Sequence, residues 1–412
     1  TNIVKYNKYY VDRQYGFATT KVKKDISYLI ELGYNFSLIY QLFSKKKKFR
    51  KLPVKYFILN NYVKLSDIIK VYITTTKQLF RLLFFLNKKN YFIINNKNCK
   101  SALQNELIRT FLGKIQIELI MGLAFKNFFK EKKFSNFINY WEFYTHARTR
   151  YYFFENYKEM PRVVSINHSV FHDNYLNMSI RKNEFINSND MINFSPKPDV
   201  ILTQGKKYSD YLKKIFPYKK IDVIGNLKIE LENTKINKTR KENIVAENKL
   251  KDKKIISLLT SLKDYNLFVK FLNKCDLKNY VIILRPHPAV RNSTLKYFRK
   301  NFNFKFKTLD NYNTREIISI SDFSLIHSSS MGYESIIKKI KVIRLLDQDI
   351  PPLFDITDNV ITVDNAKALN QMFIKKNLYK SDSATKIIKD FYYKYDKKSH
   401  IRLHNFLNKL KN

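Results

Sequence analysis

The sequence predicts an α/β protein of two domains, each built on a parallel sheet, preceded by a helix-rich N-terminal portion. Three observations predict it. From Arg162 onward short apolar runs alternate with amphipathic segments, the pattern of βα units with right-handed crossovers. Runs such as Tyr280–Leu284 and Phe323–Ile326 are apolar without polar alternation, as strands covered on both faces tend to be. A chain of 412 residues exceeds one ordinary core and fits two domains of roughly 150–200 residues.

Before Arg162 the pattern predicts helices with basic faces over Asp25–Phe43, Leu65–Leu86 and Ala102–Phe129, joined by Lys-rich or Asn-rich connections. The densest basic block, Ser44–Lys51, reads as a solvated loop or as a contact for anionic headgroups or a polyanionic acceptor. Strands are then expected at Val163–Ile166, Pro198–Thr203 and Lys220–Ile224, with a helix at Lys206–Phe216. The polar stretch Glu230–Lys254 reads as a partly helical interdomain connection.

Beyond it strands are expected at Ile255–Leu259, Tyr280–Leu284, Lys305–Leu309, Phe323–Ile326 and Val342–Leu346. The helices between them are Asp264–Asn273, Ser293–Asn301, Thr314–Ile320 and Gly332–Ile340. Ser383–Leu410 reads as a basic helical pair packing back across the domains. The resulting division is residues 1–240 for an acceptor-side domain, helix-rich to about 150 and Rossmann-like after it, 254–382 for a nucleotide-binding Rossmann-like domain, and 383–412 for the tail.

Lys and Arg number 77 against 35 Asp and Glu, for a net charge of +42, a field that attracts nucleic acid, anionic lipid or phosphorylated substrates. The excess is mostly Lys and travels with Asn, Ile, Tyr and Phe, so an AT-rich genome accounts for part of it. The hydrophobic content of 44% excludes a disordered polymer. Cys99 and Cys275 lie far apart without metal-ligand spacing, which points away from a disulfide framework or a zinc site and toward a reducing compartment. No run has the length and apolarity of a membrane span, and the opening residues lack a signal-peptide pattern. The expected location is cytoplasmic, with a peripheral position on the inner face of the cytoplasmic membrane as its extension.

Two strings carry the chemistry. Arg285-Pro286-His287-Pro288 and His327-Ser328-Ser329-Ser330 each follow a predicted strand, and ligands of open α/β sheets collect at the carboxyl ends of strands. With seven glycines and neither a Walker-type nor a dinucleotide fingerprint, phosphate binding falls to side chains and a helix N-terminus. The flanking prolines restrict where the His287 imidazole points, and Arg285 is a candidate phosphate clamp. The three serines lead into the next helix. One alone would read as an N-cap; three with a His suggest a phosphate site. Glu334, in the first turn of that helix, is placed either to accept from a ribose hydroxyl or to interact with the helix dipole.

These residues resemble bacterial sialyltransferases and related capsule or lipopolysaccharide transferases that use CMP-activated nonulosonic acids or Kdo. The matches are His287-Pro288 to the family's His-Pro motif and Ser328-Ser329 or Ser329-Ser330 to its Ser-Ser motif. The overall pattern is also similar to capsule polysaccharide proteins and glycerophosphate polymerases. The resemblance implies a GT-B-like fold, two Rossmann-like domains with parallel sheets facing a central cleft. It also implies donor nucleotide and phosphate contacts from Arg285, His287, Pro288, His327, Ser328, Ser329, Ser330 and Glu334, and transfer without a bound metal or other cofactor. The implied donor is a nucleotide sugar, CMP-linked by preference; the implied acceptor is a surface glycan, a lipid-linked glycan or a glycoprotein.

The acidic triplet that supplies the base in sialyltransferases has no counterpart here. His168 follows the Val163–Ile166 strand and is a candidate base, with Asp173 and His172 beside it. Glu142, amid Trp141, Phe143 and Tyr144, is a carboxylate whose pKa desolvation would raise, or else part of a solvated helix face. Five of the seven histidines, His146, His168, His172, His287 and His327, fall in these two regions. Asp347-Gln348-Asp349 has the outline of a metal motif but reads as a loop before Pro351-Pro352. Two enzymes on the same architecture remain open, a polyol-phosphate transferase and a nucleotide-sugar 2-epimerase. A basic nucleic-acid-binding protein is the alternative of another class, opposed by the lack of a recognised motif or an aromatic stacking platform.

Overall fold

A computed structural model gives the fold. It describes residues 3–6, 9–12, 27–31, 55–88, 93–94, 97–141, 145–167, 196–215, 220–228, 236–261, 264–287, 290–346, 360–374, 383–394 and 396–410.

The N-terminal portion is not purely helical. Strands β1 (Ile3–Tyr6) and β2 (Tyr9–Asp12) form an antiparallel pair, and β3 (Ser27–Ile30) runs parallel to β4 (Lys55–Ile58). The short β5 (Ile93–Ile94) pairs with β6 (Lys97–Asn98). The helix expected over Asp25–Phe43 is therefore corrected at Ser27–Ile30. That segment is apolar enough for either state, and the distant β4 backbone supplies its ladder partners. The Ser44–Lys51 block lies outside the described residues.

Three helices follow, α1 (Leu65–Lys88), α2 (Lys100–Arg109) and α3 (Ile115–Glu131). A π turn at Thr110–Lys114 divides what reads in the sequence as one helix. On α3, Met121, Ala124, Phe125, Phe128 and Phe129 are buried against Leu59 and against Ala147, Tyr151 and Phe154 of α4 (Thr145–Asn156). Gly122 permits this approach, because a Cβ there would lie 2.1 Å from the Phe153 ring.

The first parallel sheet contains β7 (Asn136–Tyr140), β8 (Arg162–Ile166), β9 (Val200–Thr203) and β10 (Lys220–Val223), in the order β10-β9-β8-β7. Helix α5 (Lys206–Ile215) connects β9 to β10, and α6 (Lys238–Glu247) follows within the polar connection. Neither β7 nor α4 stands out in the sequence. The alternation Asn136-Phe137-Ile138-Asn139-Tyr140 is weakly apolar, and its edge position needs only one covered side.

The second sheet has six parallel strands: β11 (Lys254–Leu259), β12 (Tyr280–Arg285), β13 (Phe306–Lys307), β14 (Phe323–Ile326), β15 (Lys341–Leu345) and β16 (Ile361–Val363). Their order is β13-β12-β11-β14-β15-β16. Numbered from its own first strand this is 3-2-1-4-5-6, the doubly wound arrangement of a dinucleotide-binding fold. All four residues of β14 are buried, as a strand covered on both faces requires. The intervening helices are α7 (Tyr265–Leu272), α8 (Asn292–Asn301), α9 (Thr314–Ser319), α10 (Met331–Ile337) and α11 (Ala366–Ile374). Asn313 and Glu316 close a capping box at the start of α9, two reciprocal hydrogen bonds that stabilise its first turn. The expected strand Lys305–Leu309 shrinks to two residues at the sheet edge, and β16 with α11 are elements beyond those expected from the sequence.

The tail contains α12 (Ser383–Ile387), a π turn at Ile388–Tyr392 and α13 (Ser399–Lys409). Phe391 and Tyr392 share one buried cluster with Tyr208 of α5 and with Leu259, Ile326 and Tyr333 around the second sheet. Leu403 and Phe406 of α13 pack on Val164, Ile166, Val200 and Leu202 of the first sheet. Two glycines admit the tail. A Cβ on Gly205 would sit 2.1 Å from the Asp390 carbonyl oxygen, and Gly225 adopts φ +85 with Ser399 and Arg402 against it.

Candidate functional site

The order of the second sheet locates a crevice before any side chain is considered. Chain direction across the sheet reverses between β11 and β14, which pair through Ile256–Leu258 and Phe323–Leu325. The loops leaving their carboxyl ends therefore diverge, and the gap between them is the switch-point crevice of doubly wound sheets. The loop after β11 carries Thr260, Ser261 and Asp264; the loop after β14 carries His327, Ser328, Ser329 and Ser330.

A buried carboxylate joins the two loops. The Ser328 hydroxyl donates to Asp264 Oδ1 at 3.2 Å, the Ser261 hydroxyl donates to the same oxygen, and the Ser261 amide donates to Oδ2 at 3.0 Å. Asp264 precedes α7 but makes no side-chain cap to it; its carboxylate turns back to the loops instead. Asp264 and Ser328 are both buried, so these charge-assisted bonds form away from bulk water, where they hold geometry best.

His287, one strand further out after β12, is exposed at the surface. Crowding by the surrounding loops pushes its pKa below that of an ordinary histidine, and the Asp264 carboxylate partly offsets the shift. Its carbonyl accepts from the Val290 amide at 2.9 Å. Beneath it the Thr260 hydroxyl meets Tyr265 Oη at 2.8 Å, and burial raises the Tyr265 pKa. Arg285 is half-buried and donates through Nε to Thr314 Oγ1 at 3.1 Å.

His327 is fully buried. Its Nδ1 donates to the Leu345 carbonyl at 2.8 Å, since a carbonyl can only accept. Nε2 is buried with no partner among the described residues. Ser329 and Ser330 are half-buried, and their carbonyls accept from Gly332 and Tyr333 at 3.1 and 3.2 Å. Ser330 makes no side-chain cap to α10. Glu334 is buried, and its Oε1 accepts from Arg315 Nη2 at 2.8 Å.

Arg285 and His287 thus lie at the carboxyl end of β12 and His327 and Ser328–Ser330 at that of β14, with β11 between the two strands, while Glu334 is engaged one helix turn behind them by Arg315. His168, Glu142, Asp173 and Pro288 lie outside the described residues, as do His172 and the Asp347–Asp349 segment. At the corresponding ends of the first sheet, Asn167, Thr203, Gln204 and Asn226 are buried. Asn226 Nδ2 donates to Gln204 Oε1 at 3.1 Å, and the Asn167 amide extends the sheet ladder to Leu202 at 2.8 Å. Among the described residues no group of three or more His, Cys, Asp or Glu side chains could hold a metal ion.

Sequence reasoning missed Thr260, Ser261 and Asp264. The signal was present, since Thr260-Ser261 follows the apolar run Ile255–Leu259 as the His-bearing strings follow theirs. Asp264 reads locally as a helix start, and only its partner from β14 reveals another task.

The fold is α/β, with a four-stranded and a six-stranded parallel sheet and a tail that touches both. No protein-family model matches the chain, and no curated protein matches it in sequence. Among solved structures it is similar in fold to the wall teichoic acid polymerase TagF, at 15% identity and a TM-score of 0.43 over 71% of this chain and 75% of that one. It is also similar to S. aureus MnaA in complex with UDP, at 12% identity and a TM-score of 0.49 over 74% and 86% of the two chains. A UDP-N-acetylglucosamine 2-epimerase matches at 12% identity and a TM-score of 0.46 over 93% and 95%.

Proposed function

We propose that the chain is a nucleotide-sugar-dependent glycosyltransferase whose donor binds at the switch point of the second sheet. The observation that carries this reading is the Asp264 bridge between the Ser261 and Ser328 loops, with His287 beside it on the next strand. Imidazole and hydroxyl groups at strand ends suit a phosphate, and the Asp264 bridge fixes the spacing of the loops that present them. The preferred donor is a CMP-activated nonulosonic acid, such as sialic, pseudaminic or legionaminic acid, or Kdo. The acceptor is a surface glycan, a lipid-linked glycan or a protein.

The first domain presents the acceptor hydroxyl, with His168, Glu142 and Asp173 as candidates for the base. The hydroxyl oxygen bonds to the anomeric carbon as the bond from that carbon to the phosphate oxygen breaks, with inversion. Charge accumulates on the departing phosphate, and hydrogen bonds from His287, Ser329 and Ser330 stabilise it in this reading. Arg285 adds fixed positive charge at the same strand end. No metal is required in this scheme.

Thermal stabilisation by CMP, CDP, UDP and GDP, with and without magnesium, tests the reading. A ligand at one hundred times its Kd adds about 2.7 kcal/mol. The expected result is a metal-independent shift with CMP that is lost in His287→Ala. A shift with UDP or CDP in place of CMP moves the assignment to a 2-epimerase or a polyol-phosphate transferase, and no shift with any nucleotide refutes the enzyme reading.

A further inference from the structure

Helix α1 carries a row of exposed apolar side chains. Its buried edge consists of Val71, Thr75, Leu79 and Leu86. Two polar contacts from α3 set its rotation: Gln116 Nε2 donates to Thr75 Oγ1 at 3.0 Å, and Asn127 Nδ2 donates to Asp67 Oδ2 at 2.8 Å. With that rotation Leu65, Ile69, Ile73, Phe80 and Phe84 turn outward, exposed by 73, 52, 65, 67 and 62%. At the α-helical repeat they form a stripe about 30 Å long in a sector about 100° wide.

The next row around the helix is cationic. Lys70, Lys77 and Arg81, all exposed, fall in the adjoining sector of about 40°. The acidic residue of this helix, Asp67, is already engaged by Asn127. Scattered exposed apolar side chains are ordinary on a protein surface, whereas a continuous stripe with a cationic edge marks a binding face. No helix among the described residues is long and apolar enough to cross a membrane, and α1 itself is interrupted by Lys70, Lys77 and Arg81. The geometry suits a helix lying in the plane of a bilayer surface.

We propose that α1 seats the protein on an anionic lipid bilayer. The Leu65–Phe84 stripe enters the boundary between headgroups and acyl chains, and Lys70, Lys77 and Arg81 meet lipid phosphates along its edge. Charge complementarity selects this occupant, because a chain of net charge +42 presenting a cationic row beside apolar surface matches an anionic, apolar-cored surface. The proposal is independent of the reaction assigned above and survives if that reaction is wrong.

The test uses the full chain with vesicles of phosphatidylcholine alone and of phosphatidylcholine with phosphatidylglycerol. Binding is expected to the anionic vesicles and to fall on the order of a hundredfold in the Lys70→Gln, Lys77→Gln, Arg81→Gln variant, from about 1 kcal/mol per basic residue near the surface. Ile73→Glu with Phe80→Glu and Phe84→Glu should abolish it; because these side chains are exposed, the melting temperature should stay near wild type. In Phe80→Trp the new indole should be quenched by brominated acyl chains, while the buried Trp141 supplies a constant background. Four results would each overturn the proposal. These are no vesicle binding, binding retained by the triple Glu variant, no quenching, or a wild-type oligomer that the triple Glu variant dissolves, which would make the stripe an interface between copies.

Discussion

Replacing Asp264 by Asn removes one negative charge from the switch-point crevice with almost no change of shape. Three donors converge on the native carboxylate, the Ser261 amide on Oδ2 and the Ser261 and Ser328 hydroxyls on Oδ1. A carboxamide has one oxygen and one NH2, so either flip turns a donor toward at least one of them. Losing one or two charge-assisted bonds in a buried site costs about 2–4 kcal/mol, which for a domain of this size lowers Tm by roughly 5–15 °C. If the bridge sets the spacing of the serine loop, nucleotide affinity should also fall about tenfold for each 1.4 kcal/mol of lost positioning. Differential scanning calorimetry gives the first quantity, and titration calorimetry with the stabilising nucleotide, below the variant's melting range, gives the second. A Tm within about 2 °C of wild type together with unchanged affinity would refute the claim that Asp264 organises the site.

Three further outcomes are expected. Because partial desolvation by the surrounding loops holds the His287 pKa below its ordinary value, its contribution to stability is present above pH about 6.5 and is lost as pH falls; a bound phosphate reverses the preference, so binding at neutral pH should take up a proton. Binding enthalpies in buffers of different ionisation enthalpy should then disagree for wild type and agree for His287→Gln, and equal enthalpies in wild type would sink the idea. Glu334→Gln leaves the Arg315 guanidinium buried without its carboxylate and should cost about 3–5 kcal/mol, with nucleotide affinity of the folded fraction unchanged; a wild-type Tm with lost affinity would assign Glu334 to the ligand. Gly205→Ala forces a Cβ to 2.1 Å from the Asp390 carbonyl, so proteolysis should release the tail more readily, whereas Gly113→Ala, which meets nothing within 4 Å, should leave the cleavage pattern as it is.

Much of the six-stranded sheet was legible in the sequence. Strands covered on both faces must be short and uniformly apolar, and Ile255–Leu259, Tyr280–Leu284 and Phe323–Ile326 advertise themselves without reference to distant residues. The strand boundaries put His287 and His327 at carboxyl ends, and with them the general location of a site. Weak edge elements were not legible. Asn136–Tyr140 and Ile361–Val363 are strands because a neighbouring backbone offers them hydrogen bonds, and Ser27–Ile30 abandons a helix for β4, which lies beyond a long intervening segment.

Residue order alone therefore determined the α/β class, the parallel character of the second sheet and the strand-end positions of its two histidines, because burial on both faces leaves a local apolar signature. Tertiary structure decided which strands are neighbours. By placing β11 between β12 and β14 it brought Asp264 to Ser328, and by docking Gln116 on Thr75 it chose which face of α1 is hidden and which is left to the surroundings. Neither contact has a local signature, since each arises when long-range pairing brings together groups whose spacing along the chain carries no information about their distance in space.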